Sequence, residues 1–235
     1  MYTKTDIEQL NKQFCNATPQ EVLTHFLQYY GDKIALSSSL SLEDQILTDM
    51  IMKIDRNARI FTLDTGRLFP ETYQLIDKTN LKYNIKIEIF FPDYKQVEEM
   101  VNREGMNLFY ESMEKRKRCC AVRKLQPLNR AFETLNAWIC GLRSEQSVTR
   151  QNIDLIQWDT MNNMLKINPL IHWDENRLQT YIQENRLPYN KLHDKGFPSI
   201  GCEPCTRAVE SGEDIRAGRW WWESPEHKEC GLHKR

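Results

Sequence analysis

Short apolar runs that empty into polar turns and then into helix-patterned stretches constrain this chain more than any other feature. Lys33-Ile34-Ala35-Leu36 is consistent with a buried strand and leads into Ser37-Ser38-Ser39-Leu40-Ser41. Leu42, Ile46, Leu47, Met50, Ile51 and Ile54 then recur at helical spacing. The unit repeats with Arg59-Ile60-Phe61-Thr62-Leu63-Asp64, a Thr65-Gly66-Arg67 turn, and a helix that Pro70 opens and that runs through Ile76. Ile85, Ile87, Ile89 and Phe91 alternate with polar residues as a third strand, before a surface helix over 94–104. Ala137-Trp138-Ile139-Cys140-Gly141 and residues 165–171 supply further strands, and a helix over 174–187 is stopped by Pro188. Strands alternating with helices at this spacing predict an α/β fold, a mostly parallel sheet with helices on both faces.

Outside that alternation, residues 5–30 carry two amphipathic patterns broken at Thr18-Pro19, which predicts two short helices. Thr18 suits the N-cap of the second and Pro19 its first position. Residues 108–135 read as one helix, with Lys115-Arg116-Lys117-Arg118 directly before Cys119-Cys120. The basic run is either a solvated face or a counter-charge for thiolates and a phosphorylated ligand. From Pro188 onward the chain is rich in Gly, Pro and Trp without periodicity, a tail laid over the domain.

Three turns sit where open α/β sheets bind ligands, beyond the C-terminal ends of strands. Strand, hydroxyl-rich turn, helix aims free backbone N–H groups and the hydroxyls of Ser37, Ser38 and Ser39 at an anion. It is neither a Walker loop nor a glycine fingerprint, so the turn taken alone reads first as a serine-rich helix cap. Thr65-Gly66-Arg67 ends the second strand, and Arg143 opens a polar loop after the 137–141 strand, suited to phosphate or sulfate.

Lys and Arg total 32 against 33 Asp and Glu, so no global charge draws the chain to nucleic acid or to an anionic membrane. The polar N-terminus has no apolar run resembling a signal peptide, and no apolar stretch reaches membrane-span length. A cytoplasmic, reducing compartment is the expectation, and there cysteines are metal-bound or reactive rather than paired. Of seven cysteines, four form two pairs, Cys119-Cys120 and Cys202-x-x-Cys205, while Cys230 stands apart near the end. The pairs read as four soft ligands for zinc or an iron–sulfur cluster. Adjacent cysteines make an awkward zinc knuckle, whereas a cubane offers separate corners; residue types favour the cluster without settling the matter. Cys230, with Lys228 before it and His233 after it, is a candidate reactive thiol. Cys15 and Cys140 read as filler and core thiols.

Taken together, Ser37-Ser38-Ser39, Leu63-Asp64-Thr65-Gly66-Arg67, Cys119-Cys120, Gly141-Leu142-Arg143, Gly201-Cys202-x-x-Cys205-Thr206-Arg207, Gly218-Arg219-Trp220-Trp221-Trp222-Glu223 and Glu229-Cys230-Gly231-Leu232-His233 occur in one order. This set resembles the thioredoxin-dependent adenylyl-sulfate (APS) reductases of assimilatory sulfate reduction, siblings of the phosphoadenylyl-sulfate (PAPS) reductases. The resemblance implies an adenine nucleotide alpha hydrolase-like fold in one reductase domain. Its parts are N-terminal helices over about 1–30, a nucleotide-binding core over 31–200, and a cluster-binding segment and mobile catalytic tail over 201–235. It also implies one [4Fe-4S] cluster on Cys119, Cys120, Cys202 and Cys205. The nucleotide is then expected on the Ser37–Ser41 turn, on Thr65, Gly66 and Arg67, and on the Arg143 loop. Lys124, Arg216, Arg219 and His233 are expected around the phosphosulfate, with Cys230 as nucleophile. Relatives often place glycine where Ser41 stands, which leaves the contacts of Leu40 and Ser41 open.

The expected reaction is thiolate attack by Cys230 on the sulfuryl sulfur with loss of AMP, then release of sulfite by a reduced dithiol partner such as thioredoxin. A PAPS or dual-substrate reductase is the nearest alternative; APS is the expected substrate, because a 3′-phosphate would require an extra cationic pocket and none is legible. An ATP-consuming tRNA-thiolating enzyme would carry a Ser-Gly-Gly-type turn, which is absent here. A cluster-bearing DNA-binding sensor lacks support, since no basic stripe accompanies a helix-turn-helix pattern. The sequence leaves a homo-oligomer open.

Overall fold

The computed structural model describes residues 2–146 and 153–224. Helices α1 (Lys4–Gln13) and α2 (Pro19–Tyr30) each open with a capping box, Thr3 with Asp6 and Thr18 with Glu21. Both threonines accept the third residue's amide while its carboxylate accepts theirs, so two otherwise orphaned donors are satisfied at each end. The chain continues through β1 (Ile34–Ser37), α3 (Leu42–Ile54), β2 (Arg59–Leu63), α4 (Pro70–Tyr83), β3 (Glu88–Phe90) and α5 (Tyr94–Glu104). It then runs through α6 (Met113–Cys120), α7 (Gln126–Phe132), β4 (Ala137–Ile139), β5 (Ile156–Asp159), β6 (Met164–Ile167) and α8 (Glu175–Glu184).

The six strands form one sheet in the order β3-β2-β1-β4-β6-β5. β1 pairs parallel with β2 and β4, β4 pairs parallel with β6, and β5 runs antiparallel to β6. The mostly parallel α/β sheet expected from the alternation is what the chain forms. β1 is central, and Ile34, Ala35 and Leu36 are at most 1% exposed, which explains an apolar run without alternation. β1 continues to β2 on one side, and β4 later joins on the other. The strand order therefore reverses between β1 and β4, the crevice position where such sheets bind ligands.

Several boundaries differ from the sequence reading. The third strand is only Glu88–Phe90, an edge strand with Ile89 exposed. The 165–171 strand ends at Ile167, because Asn168 turns away and its side-chain amide donates to the Asp154 carbonyl at 2.8 Å. The antiparallel strand β5 was not expected. Residues 108–135 are not one helix: a short 3-10 turn precedes α6, and a π-helical turn over Ala121–Leu125 separates α6 from α7. Hydrophobic spacing cannot reveal that extra residue per turn, a feature frequent at functional sites.

By contact density the chain forms two compact units. The first comprises Met1–Thr62, Leu75–Glu88 and Thr134–Tyr189, and its core includes Leu23, Phe26, Leu36, Ile46, Leu47, Ile139 and Leu165. Within it Asp49 is buried and accepts from the Tyr83 and Tyr181 hydroxyls, both at 2.9 Å, and from Lys53 at 2.6 Å. The second comprises Leu63–Gln74, Ile89–Glu133 and Asn190–Arg235, with a smaller core of Met100, Leu108, Phe109, Cys205 and Trp220. No helix among the described residues is long and apolar enough to cross a membrane.

Candidate functional site

In the first unit, the serine turn leaves β1 and caps α3. The Ser38 amide donates to the Phe61 carbonyl at 2.8 Å, and its hydroxyl accepts from the Leu40 amide at 3.1 Å. Leu40 carries the turn's left-handed backbone (φ 62°), whereas Ser41 is extended (φ −67°, ψ 171°) and accepts from the Asp44 amide as N-cap. Ser41 therefore needs none of glycine's conformational freedom. The Ser39 amide and hydroxyl both donate to Asp44 Oδ2 at 2.7 Å. Of the donors read from sequence as aimed at an anion, those of Ser39 are taken by the chain's own carboxylate. Burial pushes the Asp44 carboxyl up to about 6, against the pull of the Ser39 hydrogen bonds.

Arg143 stands just beyond β4 and is buried. Its Nε donates to Glu43 at 2.8 Å, Nη2 to Glu175 at 2.6 Å, and Nη1 to the Trp173 carbonyl at 3.3 Å. Those partners hold its pKa above the usual arginine value despite a burial cost that is the largest influence on it. Gly141 makes this approach feasible: a Cβ there would lie 2.6 Å from Asp44 Oδ1 and 2.8 Å from Glu43 Cβ. The β1 and β4 ends are thus joined through a carboxylate pair at the start of α3.

In the second unit, all four paired cysteines line one recess together with Arg67, Arg116, Arg123, Lys124 and Arg219, and no carboxylate lines it among the described residues. Cys119 and Cys120 end α6 where the π turn begins. Cys202 caps and Cys205 ends a 3-10 turn held by four backbone bonds: Glu203 to the Arg67 carbonyl (2.8 Å), Cys205 to Cys202 (3.0 Å), Thr206 to Glu203 (3.2 Å), and Trp220 to Cys205 (3.1 Å). Thr65 Oγ1 lies 3.2 Å from Cys202 Sγ. Arg123 hydrogen-bonds Cys119 and donates to the Thr65 carbonyl at 2.7 Å, and Arg116 hydrogen-bonds Cys120.

Burial, then the Cys202 sulfur, pushes the Cys205 thiol up to about 12, with Lys124 opposing. Cys119 is raised too, first by burial, with Arg123 opposing. Such crowded thiols ionise in exchange for a metal-bound state, so metal loading releases protons. No three described His, Cys, Asp or Glu side chains converge on one ion position. Four soft sulfurs around a cation-lined recess fit a polynuclear centre better than a single ion.

The remaining expected residues are distributed as follows. Gly66 has φ 69° and donates to Asp64 at 2.7 Å, while the Arg67 guanidinium is held by the Met106 carbonyl (3.0 Å) and Asn107 (2.9 Å). Arg219 is buried, with Nη1 3.4 Å from the Ser199 hydroxyl, and packs where a Cβ on Gly201 would lie 2.4 Å from its guanidinium. Arg216 is half-buried, its amide donating to Asp214 at 2.8 Å. Cys230 and His233 lie outside the described residues.

Arg116 and Arg123 were missed as site residues. The signal was present: Arg116 precedes Cys120, and Arg123 follows Cys119, by one helical turn, so each shares a helix face with a thiol.

A phosphoadenosine phosphosulfate reductase domain model matches residues 33–208. A protein of Allochromatium vinosum named adenosine 5′-phosphosulfate reductase is 50% identical over 87% of this chain and 80% of its own length. A Burkholderia cepacia protein of the same name is 48% identical over 86% of this chain and 81% of its own. Among solved structures, the phosphate complex of a Candida auris phosphoadenylyl-sulfate reductase superposes with TM-score 0.76 at 28% identity, covering 89% of this chain and 98% of that one. The tRNA thiolase NcsA of Methanococcus maripaludis, solved with its [4Fe-4S] cluster, shares the fold at TM-score 0.52 and 17% identity, over 81% of this chain and 68% of that one. With three quarters of its length under the domain model and relatives near half identical, the chain belongs to the phosphoadenosine phosphosulfate reductase family.

Proposed function

We propose that this protein reduces adenylyl sulfate to sulfite and AMP in sulfate assimilation, with a reduced dithiol protein such as thioredoxin as electron donor. The observation that carries the reading is the gathering of four thiols and five cations on one recess. The names of the near-half-identical relatives favour adenylyl sulfate over its 3′-phosphorylated form.

The nucleotide is assigned to the β1–β4 crevice and to Thr65, Gly66 and Arg67. Ser37, Ser38 and Ser39 border that crevice, with Arg143 beside it as a buried strut. Lys124, Arg216, Arg219 and His233 are assigned to the phosphosulfate oxygens, where cations stabilise the charge that grows as the sulfur–oxygen bond breaks. Cys230 as thiolate forms a bond to the sulfuryl sulfur, and the electron pair of the broken bond leaves with AMP. A partner thiolate then attacks Cys230 Sγ and displaces sulfite with its electron pair, giving a mixed disulfide. The partner's second thiol resolves it, so the dithiol supplies both electrons.

Cys119, Cys120, Cys202 and Cys205 are the ligands assigned to a [4Fe-4S] cluster, which when bound supplies fixed charge and a covalent tie between the end of α6 and the 201–206 loop. Such chemistry requires a reducing compartment, the cytoplasm. Anaerobically purified protein with reduced thioredoxin should release sulfite from adenylyl sulfate, with higher kcat/KM than for the 3′-phosphorylated form. A clear preference for the latter would reverse the substrate assignment, and no sulfite from either would overturn the reading.

A further inference from the structure

Trp220-Trp221-Trp222-Glu223 follows the recess and precedes Cys230 in the sequence, and it is held more firmly than an irregular segment needs. Trp220 is 1% exposed despite a left-handed backbone (φ 42°). The guanidinium carbons of Arg116 and Arg219 lie 4.6 and 4.7 Å from its ring centroid. Trp222 packs edge-on against Tyr110 at 4.5 Å. Arg116 then grips Glu223 with two bonds, Nε to Oε1 at 2.9 Å and Nη2 to Oε2 at 2.7 Å. Their side chains are 2% and 7% exposed. A buried ion pair contributes little net stability compared with apolar residues of the same volume, and its best-attested use is to fix a register. The planar two-point geometry sets direction as well as distance. The same guanidinium hydrogen-bonds Cys120, so one side chain ties the thiol recess to the root of the tail.

We propose that the Arg116–Glu223 pair anchors the catalytic tail, with Arg116 a positioning residue that fixes the point from which Cys230 reaches its substrate. The proposal rests on the reductase reading of Cys230. Six residues lie between Glu223 and Cys230, so the thiol stays within about 25 Å of the anchor even when the chain is fully extended. Releasing the anchor lengthens the tether and lowers the effective concentration of the thiol at the reacting sulfur.

The test uses the cluster-loaded protein and its Glu223→Gln variant, which keeps side-chain shape but removes the charge, with Arg116→Lys as a second probe. Single-turnover S-sulfonation of Cys230 should slow by roughly tenfold or more. For Glu223→Gln, which lies outside the recess lining, KM for adenylyl sulfate, iron and sulfide content and the visible spectrum should stay at wild-type values. Chymotrypsin should release the C-terminal peptide faster by cutting at Trp220 to Trp222. Wild-type S-sulfonation by Glu223→Gln would overturn the proposal, and so would cluster loss in proportion to lost activity, which marks a merely structural pair. Were the wild type itself unreactive with adenylyl sulfate, the reductase reading would fail separately. The chymotrypsin arm would then decide the anchor: faster cleavage supports it and unchanged cleavage overturns it.

Discussion

Around Arg143, in the first unit, two closely bonded carboxylates, a third at 3.5 Å and a backbone carbonyl take up the hydrogens of one buried guanidinium. Around the four thiols of the second unit, five cations and no carboxylate line a recess among the described residues. The first arrangement is complete from protein groups alone and sits on a broad apolar core. The second brings together thiols, two of which (Cys119 and Cys205) burial drives towards the neutral form, and cations that favour negative charge. The contrast teaches where each unit obtains its order: one from internal pairing and packing, the other, on the proposed reading, in large part from the cluster assigned to its thiols.

The largest effect should come from removing that ligand. Cys202→Ser or Cys205→Ser should lose the brown colour, bound iron and sulfide, and sulfite release down to background. Hydrogen exchange should accelerate across 113–125 and 201–222 and stay at wild-type rates in α2, α3 and β1. Uniform loosening of both units would break the comparison. Colourless, zinc-loaded protein with full activity would remove the cluster from the account.

Next in size is Arg143→Ala, which strands Glu43, whose side chain is 8% exposed. Losing one partner of a buried pair costs about 3–5 kcal/mol. Urea unfolding should show that loss with cluster content unchanged, and a loss below about 1 kcal/mol would show that water already reaches the pair.

A subtler effect concerns Asp44. Its folded pKa, about 6, is raised from 3.8, so the folded state holds its proton more tightly and stability falls as pH rises through that window. A shift of that size corresponds to on the order of 3 kcal/mol. Asp44→Asn should remove this slope, so the variant gains on the wild type between about pH 4 and pH 6. Parallel stability–pH curves would show that Ser39 fully offsets the burial.

Much of this was legible in sequence because it depends on local chemistry. Thr18-Pro19 announces a capped helix and the Ile34–Leu36 run a buried strand. What escaped depends on partners distant in sequence. The basic run before Cys119 admitted a solvated-face reading, yet Arg116 within it is buried against Glu223, more than a hundred residues away. The serine turn offered donors, but not the buried Asp44 that occupies those of Ser39. β5 is short, half-polar and defined by its pairing with β6, so its sequence alone carried little signal.

The most direct test of the central claim is a single turnover of wild-type holoprotein with adenylyl sulfate and no dithiol. The account predicts one equivalent of AMP per chain, then arrest, with the mass of one SO3 group added to the C-terminal peptide at Cys230 and none in Cys230→Ser. An adduct on Cys15 or Cys140, or steady sulfite release by Cys230→Ser once thioredoxin is added, would contradict it.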